Sequence, residues 1–369
     1  MSDTPKENTS DVRHPGKKGG WAGKIIKFIV PLAVSIGLCV ALFRDIDFHE
    51  MMRIIRQECD FWVIAGVALF GLLPMLIRAA RWGIQLRAIG VRPPLRILFY
   101  SICGTYAVNI VFPRLGEVWR TGYISYRQNA SFPEVFGSMI ADRLADTLVV
   151  AILTLGTFIA ASAPFIKFIE TYPQAYQALE ALVTSPVVWA AGIAGLLAVW
   201  LLLKYSHNRF IVRVRHILKG IWEGFAAIAR MDGKGLWLLL TAALWSCYFL
   251  QLYFAFFAFP MTRQILADNG IIVAVICYML TTISMAIPSN GGIGPYQTAM
   301  LFGLQLFAPA AVASGADPAA RQAFITAGAA FGNTVIAAQT ILFIVSGIIV
   351  FILMAVDKRR SAPHHAGHA

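Results

Sequence analysis

Apolar residues dominate long stretches of this chain, and short polar segments separate the stretches. A transmembrane helix needs about 20 mostly apolar residues, because an α-helix rises only about 1.5 Å per residue. Apolar runs predict helices at Ile25 to Phe43, Phe61 to Ala80, Leu95 to Phe112, Met139 to Ala163, Val187 to Lys204, Leu236 to Phe259, Gly270 to Ile287, Tyr296 to Ala308 and Ala323 to Val356. The pattern therefore predicts an all-α polytopic membrane protein.

The run Leu95 to Phe112 has basic residues on both sides. Arg114, Arg120 and Arg127 follow it, and further arginines precede it. Since loops rich in Lys and Arg stay on the cytoplasmic side, both ends of this run belong on one face, which favours a re-entrant hairpin. We expect about eight transmembrane helices with one or two re-entrant or broken-helix segments. A ninth crossing, with Arg114 outside, remains an alternative.

Two groups of basic residues contain no acidic residue. They are Arg78, Arg81, Arg87, Arg92 and Arg96, and Lys204, Arg209, Arg213, Arg215 and Lys219. We interpret both groups as cytoplasmic loop charges, with both chain termini on the same side of the cell inner membrane. The connections around residues 170–180 and 263–268 contain few basic residues and fit the opposite side.

The chain divides into one membrane domain and two polar ends. Residues 1–20 are polar and lack an apolar core, so we expect a disordered cytoplasmic tail. Residues 21–356 form the single transmembrane domain. Residues 357–369 form a basic cytoplasmic tail, whose histidines suit a solvated segment better than a metal site.

Composition narrows the class of protein further. The chain is 58% hydrophobic and 14% charged, which leaves too little polar surface for a soluble globule. Its net charge of +12 would suit nucleic-acid binding, but the basic residues lie in short blocks between apolar runs, so membrane orientation explains them better. The 5 cysteines form no CxxC pair. We expect no cofactor, no metal and no nucleic-acid partner.

Two stretches have apolar residues at helical spacing opposite charged residues. They begin at Phe48 and at Val214, and the second extends to Ile228. Each would lie on the membrane surface or pack beneath the helix bundle, and the sequence favours neither alternative.

The segment Pro113 to Arg120 combines helix breakers with charges directly after an apolar run. Non-helical backbone at membrane depth has to be buried in protein or line a wet cavity. A helix that begins near Glu117 places Glu117 and Arg120 three residues apart on one face. Its N–H groups, with Arg114 and Arg120, would bind a phosphate, and Glu117 would pair with an arginine when no ligand is present. The alternative is a helix cap with surface ion pairs.

A second charged group, Asp142-Arg143-Leu144-Ala145-Asp146, leads straight into an apolar run. Asp142 and Asp146 share a helix face, and Arg143 is placed to bridge to Asp146. Charges near hydrocarbon are costly unless they are paired or hydrated, so this group is a candidate functional site. Acids that merely complement the helix dipole are the alternative.

The segment Pro288 to Gln297 is rich in glycine and precedes a short apolar run. Its glycines permit a positive φ and close backbone approach, and Pro295 suits the first position of a helix. The glycines are Gly291, Gly292 and Gly294, and the polar residues beside them are Ser289 and Asn290. Exposed N–H groups there would form an anion-binding turn. Farther along, Asn333 is predicted to hydrogen-bond across a tight helix contact.

These three segments together resemble one family. Pro113 to Arg120 is similar to a Pro-x-x-x-Gly-Glu-x-x-Arg pattern with one spacer residue fewer, Asp142 to Asp146 resembles an acidic-Arg-x-x-Asp helix start, and Pro288 to Gln297 resembles a Pro-x-x-Gly-Gly-x-Gly-x-x-Glu turn. The family is the lysylphosphatidylglycerol synthase transmembrane region, also called the UPF0104 or flippase-like group. The resemblance covers roughly Ile25 to Val356.

The resemblance implies a function and a set of site residues. Family members resemble the membrane half of the multiple peptide resistance factor, which is thought to move aminoacylated phospholipid between leaflets. Carried over, it implies headgroup or gating roles for Arg114, Glu117, Arg120, Asp142, Arg143 and Asp146, and a cavity shaped by Gly291, Gly292 and Gly294. Gln297 stands where the family often has Glu. No aminoacyltransferase domain follows Val356, so we do not expect the chain to synthesise lysyl-lipid by itself.

We therefore expect a flippase-like translocase that moves a phosphate-bearing lipid, either a phospholipid or a polyprenyl-phosphate-linked headgroup, as a monomer or a homo-oligomer. The chain has no P-loop, so transport would be gradient-driven or passive. One rival is a membrane-embedded transferase or hydrolase with Asp142 or Glu117 as base, although no nucleophile has a histidine beside it. Another rival is a non-catalytic membrane partner of a lipid-modifying enzyme.

Overall fold

A computed structural model describes residues 48–112, 114–160, 186–205, 212, 215, 222, 231–287, 289, 292–309, 312 and 316–361. The predicted run Ile25 to Phe43, the tail 1–20, the end of the tail 357–369 and most of the stretch Val214 to Ile228 lie outside the described residues. The described part is helical and contains no strand, which confirms the all-α prediction.

The helices are α1 Phe48–Glu58, α2 Phe61–Phe70, α3 Leu72–Ala88, α4 Leu95–Val111, α5 Leu115–Gln128, α6 Phe132–Ala160, α7 Pro186–Tyr205, α8 Lys234–Ala255, α9 Pro260–Asn269, α10 Ile271–Ser284, α11 Pro295–Gln305 and α12 Pro318–Ser361. A short 3₁₀ turn, Phe256–Ala258, continues α8. Since α12 extends through Ser361, the first residues of the predicted tail 357–369 are helical.

Three helical segments in the described part are long and apolar enough to cross a bilayer: Phe61–Ala88, Lys234–Ala258 and Pro318–Asp357. The bent pair α9 and α10 would make a fourth if it forms one span, and α4 is a shorter apolar helix. These segments support the prediction that the chain is a membrane protein. The count of about eight crossings stays a prediction.

The connection before α10 differs from the predicted loop. Residues 263–268 lie in helix α9, which begins with Pro260 at its first position. Gly270, with φ 69°, then turns the chain, and the helix axis bends by 115° between α9 and α10. The predicted loop is therefore the first part of a broken helix. Proline suits its first position, and glycine permits the left-handed conformation at the break.

Helices α4 and α5 form an antiparallel hairpin around the first interruption. Gly104 of α4 lies against the ring of Trp119 of α5, and Gly116 lies against the carbonyl oxygen of Thr105. The Gly116 N–H donates to Asn109 Oδ1 at 2.8 Å. Small residues at these contacts let the two helices approach closely. The run Leu95 to Phe112 is thus one continuous helix that pairs with α5, and its re-entry on one membrane face remains a prediction.

Helices α10 and α11 form a second hairpin around the glycine-rich interruption. Gly292 and Gly294 have φ of 86° and 94°, and Pro295 is the first residue of α11, as the sequence predicts. Gly303 of α11 packs against Cys277 of α10.

Helix α12 packs against both hairpins and against α1 and α2. Asn333 on α12 accepts a hydrogen bond from Gln297 Nε2 on α11 at 3.2 Å, which confirms the predicted contact between helices. Met51 and Ile54 of α1 are buried in the core. The apolar face of α1 therefore packs within the bundle.

We expect Gly116→Ala to loosen the first hairpin. A Cβ at residue 116 would lie 2.2 Å from the Thr105 carbonyl oxygen, a backbone atom that cannot move aside. The overlap should lower the free energy of unfolding by about 1–3 kcal/mol. Thermal unfolding of the purified protein in detergent measures it.

Gly122→Ala on the same helix is the matched control, because its Cβ would meet no atom closer than 4.0 Å. Alanine there should be neutral or stabilise by about 0.5–1 kcal/mol. Equal Tm values for the two variants would contradict the close packing of α4 on α5.

Candidate functional site

Two arginines of α3 and two aspartates of α6 form a buried ion-pair network. Arg81 Nη2 lies 2.6 Å from Asp142 Oδ1 and 2.7 Å from Asp146 Oδ1. Arg78 Nη1 lies 2.8 Å from Asp146 Oδ2 and 3.5 Å from Asp142 Oδ2. Each carboxylate thus contacts both guanidinium groups, and the network ties α3 to α6.

Helical periodicity produces this arrangement. Arg78 and Arg81 are three residues apart on α3, and Asp142 and Asp146 are four residues apart on α6, so each pair shares one face of its helix. All four residues are less than 9% exposed. Removal of one member would leave the buried charges of the others only partly compensated, which costs more than the intact network contributes.

The sequence-based interpretation of Arg78 and Arg81 as cytoplasmic loop charges was wrong. Both lie inside helix α3 and are buried against the acidic residues of α6. A charge in a loop is stabilised by solvent, whereas the charges of these two arginines are compensated by the carboxylates of Asp142 and Asp146. The signal was available: two acids four residues apart at the start of an apolar helix require cations, and Arg78 and Arg81 interrupt an apolar run at helical spacing.

Arg120 of α5 lies beside the network. Its guanidinium stacks over the ring of Trp82 at 4.5 Å and lies 3.6 Å from Asp142 Oδ2. The side chain is fully buried, and its nitrogens have no hydrogen-bond acceptor among the described residues. Arg120 therefore adds a third buried cation beside Asp142, where α3, α5 and α6 meet.

A cavity of about 840 Å³ lies next to this network, between the two hairpins. It brings together members of all three segments that the sequence singled out. Those members are Arg114, Glu117, Val118, Arg143, Asp146, Ser289, Gly292 and Tyr296. Residues distant in sequence thus share one concave site, as expected for broken helices that surround a wet cavity.

Arg143 and Glu117 form an ion pair at the cavity wall. Arg143 Nη2 lies 3.1 Å from Glu117 Oε1, and the two side chains are 36% and 21% exposed. Asn109 Nδ2 donates to the same carboxylate at 3.3 Å. Glu117 therefore pairs with an arginine, as the sequence predicts. The predicted bridge from Arg143 to Asp146 is the weaker contact, because Arg143 Nη1 lies 3.9 Å from Asp146 Oδ2.

Arg114 joins the turns of the two hairpins. Its Nη2 donates to the carbonyl oxygen of Ala286 at 2.7 Å. Ala286 lies just beyond α10, where the glycine-rich segment begins. The backbone of Arg114 has φ 62°, in the left-handed region that residues other than glycine rarely adopt.

Two tyrosines on the cavity wall were not predicted. The hydroxyls of Tyr106 and Tyr248 lie 3.3 Å apart, and Arg78 Nε donates to Tyr248 at 3.4 Å. They link the cavity to the ion-pair network. Isolated tyrosines in apolar runs give no sequence signal, because interfacial or core tyrosines look the same.

Other predicted residues lie away from the cavity wall. Asp142, Arg120, Gly294 and Gln297 are not among the residues that line it. Gln297 is 4% exposed, and its Oε1 accepts from the Gly294 N–H at 2.7 Å. Gln297 therefore caps helix α11. Its side-chain amide is sufficient for this role, so the carboxylate of a Glu is not needed here. Asn290 and Gly291 lie outside the described residues.

The charged residues of the cavity wall favour an anionic ligand. Arg78, Arg114 and Arg143 stand against Glu117 and Asp146, and apolar side chains form most of the remaining wall. Arginine forks match the oxygens of a phosphate group. Within the described part of the chain, no group of three or more His, Cys, Asp or Glu side chains is placed to hold a metal ion.

Comparison with known proteins confirms the resemblance expected from the motifs. The model of the family described as the lysylphosphatidylglycerol synthase TM region matches residues 28–329. A UPF0104 membrane protein of Methanocaldococcus jannaschii is 22% identical over 152 residues, which cover 40% of this chain and 45% of that protein. The chain thus spans less than half the length of this curated relative. No solved structure matches.

We expect Arg81→Gln to destabilise the protein strongly. The substitution leaves Asp142 and Asp146 buried with one cation fewer, and breaking such a pair typically costs about 3–5 kcal/mol. Thermal unfolding in detergent measures the loss. Arg87→Gln is the matched control, because Arg87 lies on the same helix and is exposed. The double variant Arg81→Gln/Asp142→Asn should recover part of the stability, and a double variant no more stable than Arg81→Gln would contradict the pairing.

Proposed function

Since the chain belongs to the lysylphosphatidylglycerol synthase transmembrane-region family, we propose that it is a flippase-like translocase that moves a phosphate-bearing lipid between the leaflets of the cell inner membrane. The family and the apolar helices support a lipid-related membrane protein. Translocation, the inner membrane and cytoplasmic termini are parts of the proposal.

One observation supports the proposal most directly: a cavity with more arginines than carboxylates lies between two interrupted helical hairpins. A lipid headgroup must leave water to cross the bilayer, and burial of an unpaired phosphate in hydrocarbon is prohibitively costly. Arg114 and Arg143 would replace the lost water with charge-assisted hydrogen bonds. The headgroup would then cross inside protein.

The apolar part of the wall suits the rest of a lipid. Met75, Ile110 and Val118 line the cavity together with the charged residues. A mixed wall of this kind lets the headgroup contact arginines while the acyl chains stay against apolar surface or bilayer. The ion-pair network of Arg78, Arg81, Asp142 and Asp146 would hold α3 and α6 together during this exchange.

Energy for transport would come from an ion gradient or from the lipid gradient itself. The sequence contains no P-loop, so the chain would need a partner to use ATP. Asp146 and Glu117, as cavity carboxylates, are the groups that would bind a coupling cation or a cationic headgroup. A monomer or a homo-oligomer is part of the proposal.

Leaflet exchange of fluorescent phosphatidylglycerol in liposomes that contain the purified protein tests the proposal. Arg143→Gln should slow the exchange at least tenfold, because the loss of one charge-assisted hydrogen bond to a desolvated phosphate costs roughly 1.5–3 kcal/mol. Arg127→Gln is the control, since Arg127 lies on α5 outside the cavity wall. It should leave the rate unchanged.

The lipids are analysed chemically at the end of the assay. Unchanged lipids with exchange that depends on Arg143 would support a translocase. Chemically altered lipids would favour the transferase or hydrolase alternative. No acceleration with anionic, zwitterionic or lysyl lipids would refute translocation by the chain alone.

A further inference from the structure

We propose that two internal groups occupy the cavity arginines in place of a phosphate: the Glu117 carboxylate on Arg143, and the Ala286 carbonyl on Arg114. A bound phosphate group displaces both and releases the two hairpin turns from each other. This inference rests on the proposed function, because it concerns the regulation of the same lipid site.

The contact of Glu117 with Arg143 has the features of an exchangeable pair. It joins two helices across the cavity wall at 3.1 Å, and both side chains are partly exposed. Glu117 does not satisfy the whole guanidinium: Arg143 Nε is buried and has no hydrogen-bond partner among the described residues. The phosphodiester of a phospholipid has two non-bridging oxygens and is able to accept from both Nη2 and Nε, which the single contact of Glu117 does not achieve.

The contact of Arg114 with Ala286 ties the hairpin turns together. One guanidinium nitrogen donates to a neutral carbonyl at 2.7 Å, so the positive charge of Arg114 is not matched by a carboxylate at this contact. The backbone of Arg114 has φ 62°, in the left-handed region. Strained residues of this kind cluster at switch regions and ligand clamps. An anion should therefore compete well against the carbonyl.

The site has two states: one in which Glu117 and Ala286 contact the arginines, and one in which both contacts are broken. Phosphate binds the second state more tightly. A ligand shifts a conformational equilibrium only if it binds one state better. While Glu117 and Ala286 occupy the arginines, the cavity offers few donors. Once they leave, Arg114 and Arg143 are both available to the ligand. A lipid without a phosphate gains nothing from the second state and leaves the turns joined.

The aspartates of the network do not behave as Glu117 does. Asp142 and Asp146 each contact both Arg78 and Arg81, at distances between 2.6 and 3.5 Å. Glu117, in the described part of the chain, forms its ion pair with Arg143 and lies at the cavity wall. Ligand exchange at Arg143 is therefore separable from the network beneath it.

Binding of a short-chain phosphatidylglycerol to the full-length protein in detergent, followed by calorimetry, tests the exchange. Glu117→Gln should bind this probe roughly two- to fivefold more tightly, the factor expected when a partly exposed competing ion pair is removed. Glu134→Gln is the matched control, because Glu134 is an exposed carboxylate of α6 that does not line the cavity. It should bind like the wild type.

A distance measurement provides the second readout. Spin labels at Phe112→Cys and Ile293→Cys report on the two turns, since residues 112 and 293 are exposed. The native cysteines are replaced by alanine in this background. The probe should lengthen the distance between the labels, and Glu117→Gln should shift the distance partway without any probe. A short-chain diacylglycerol, which has no phosphate, should leave it unchanged.

The outcomes separate the two proposals. Equal affinity of the wild type and Glu117→Gln, or an unchanged distance after probe binding, would overturn the exchange and leave the lipid site intact. Absence of probe binding to the wild type and to both variants would overturn the exchange and the proposed phosphate-lipid site together.

Discussion

The ion-pair network between α3 and α6 is the constraint on which the rest of the site depends. Four charged residues in a mostly apolar helix bundle are tolerated only because each has at least two partners of opposite sign. This requirement fixes the rotation of α3 and α6 about their axes. Arg143, one residue beyond Asp142, then faces the cavity, where it contacts the first hairpin through Glu117. Pairing in the core thus positions the charges at the wall.

The two interrupted hairpins depend on small residues for their close approach. Gly116 lies against the backbone of α4, and Gly292 and Gly294 adopt a positive φ ahead of α11. These glycines bring both turns to the same cavity, where Arg114 reaches Ala286 of the second hairpin. Broken helices place backbone donors and acceptors where a continuous helix would present only side chains. Non-helical backbone at membrane depth is tolerated where it lines a cavity, and Arg114 and Ala286 of the two turns are among the residues that line this one.

The sequence predicts the helical class, both interruptions and most of the charged members of the cavity wall, because glycine, proline and charge in an apolar chain are strong local signals. The burial of Arg78 and Arg81 was missed because both were counted as loop charges, although their helical spacing inside an apolar run indicated otherwise. Tyr106 and Tyr248 were missed for a different reason: their role arises from a contact between distant helices, which leaves no local signal. The structure added long-range pairing, which local patterns do not contain.

Magnitudes separate the fixed parts of the site from the exchangeable ones. Breaking a buried, doubly paired contact such as that of Arg81 with Asp142 costs about 3–5 kcal/mol, whereas a partly exposed pair such as Arg143 with Glu117 contributes about 0.2–1 kcal/mol. An arginine–phosphate contact contributes roughly 1.5–3 kcal/mol. This is more than the ion pair of Arg143 with Glu117 contributes, but not more than the cost of breaking the contact of Arg81 with Asp142. A phosphate group therefore has enough affinity to replace Glu117 and too little to dismantle the network. Any rearrangement that such a ligand drives has to occur at the hairpin turns, over a scaffold of α3 and α6 that keeps its pairing.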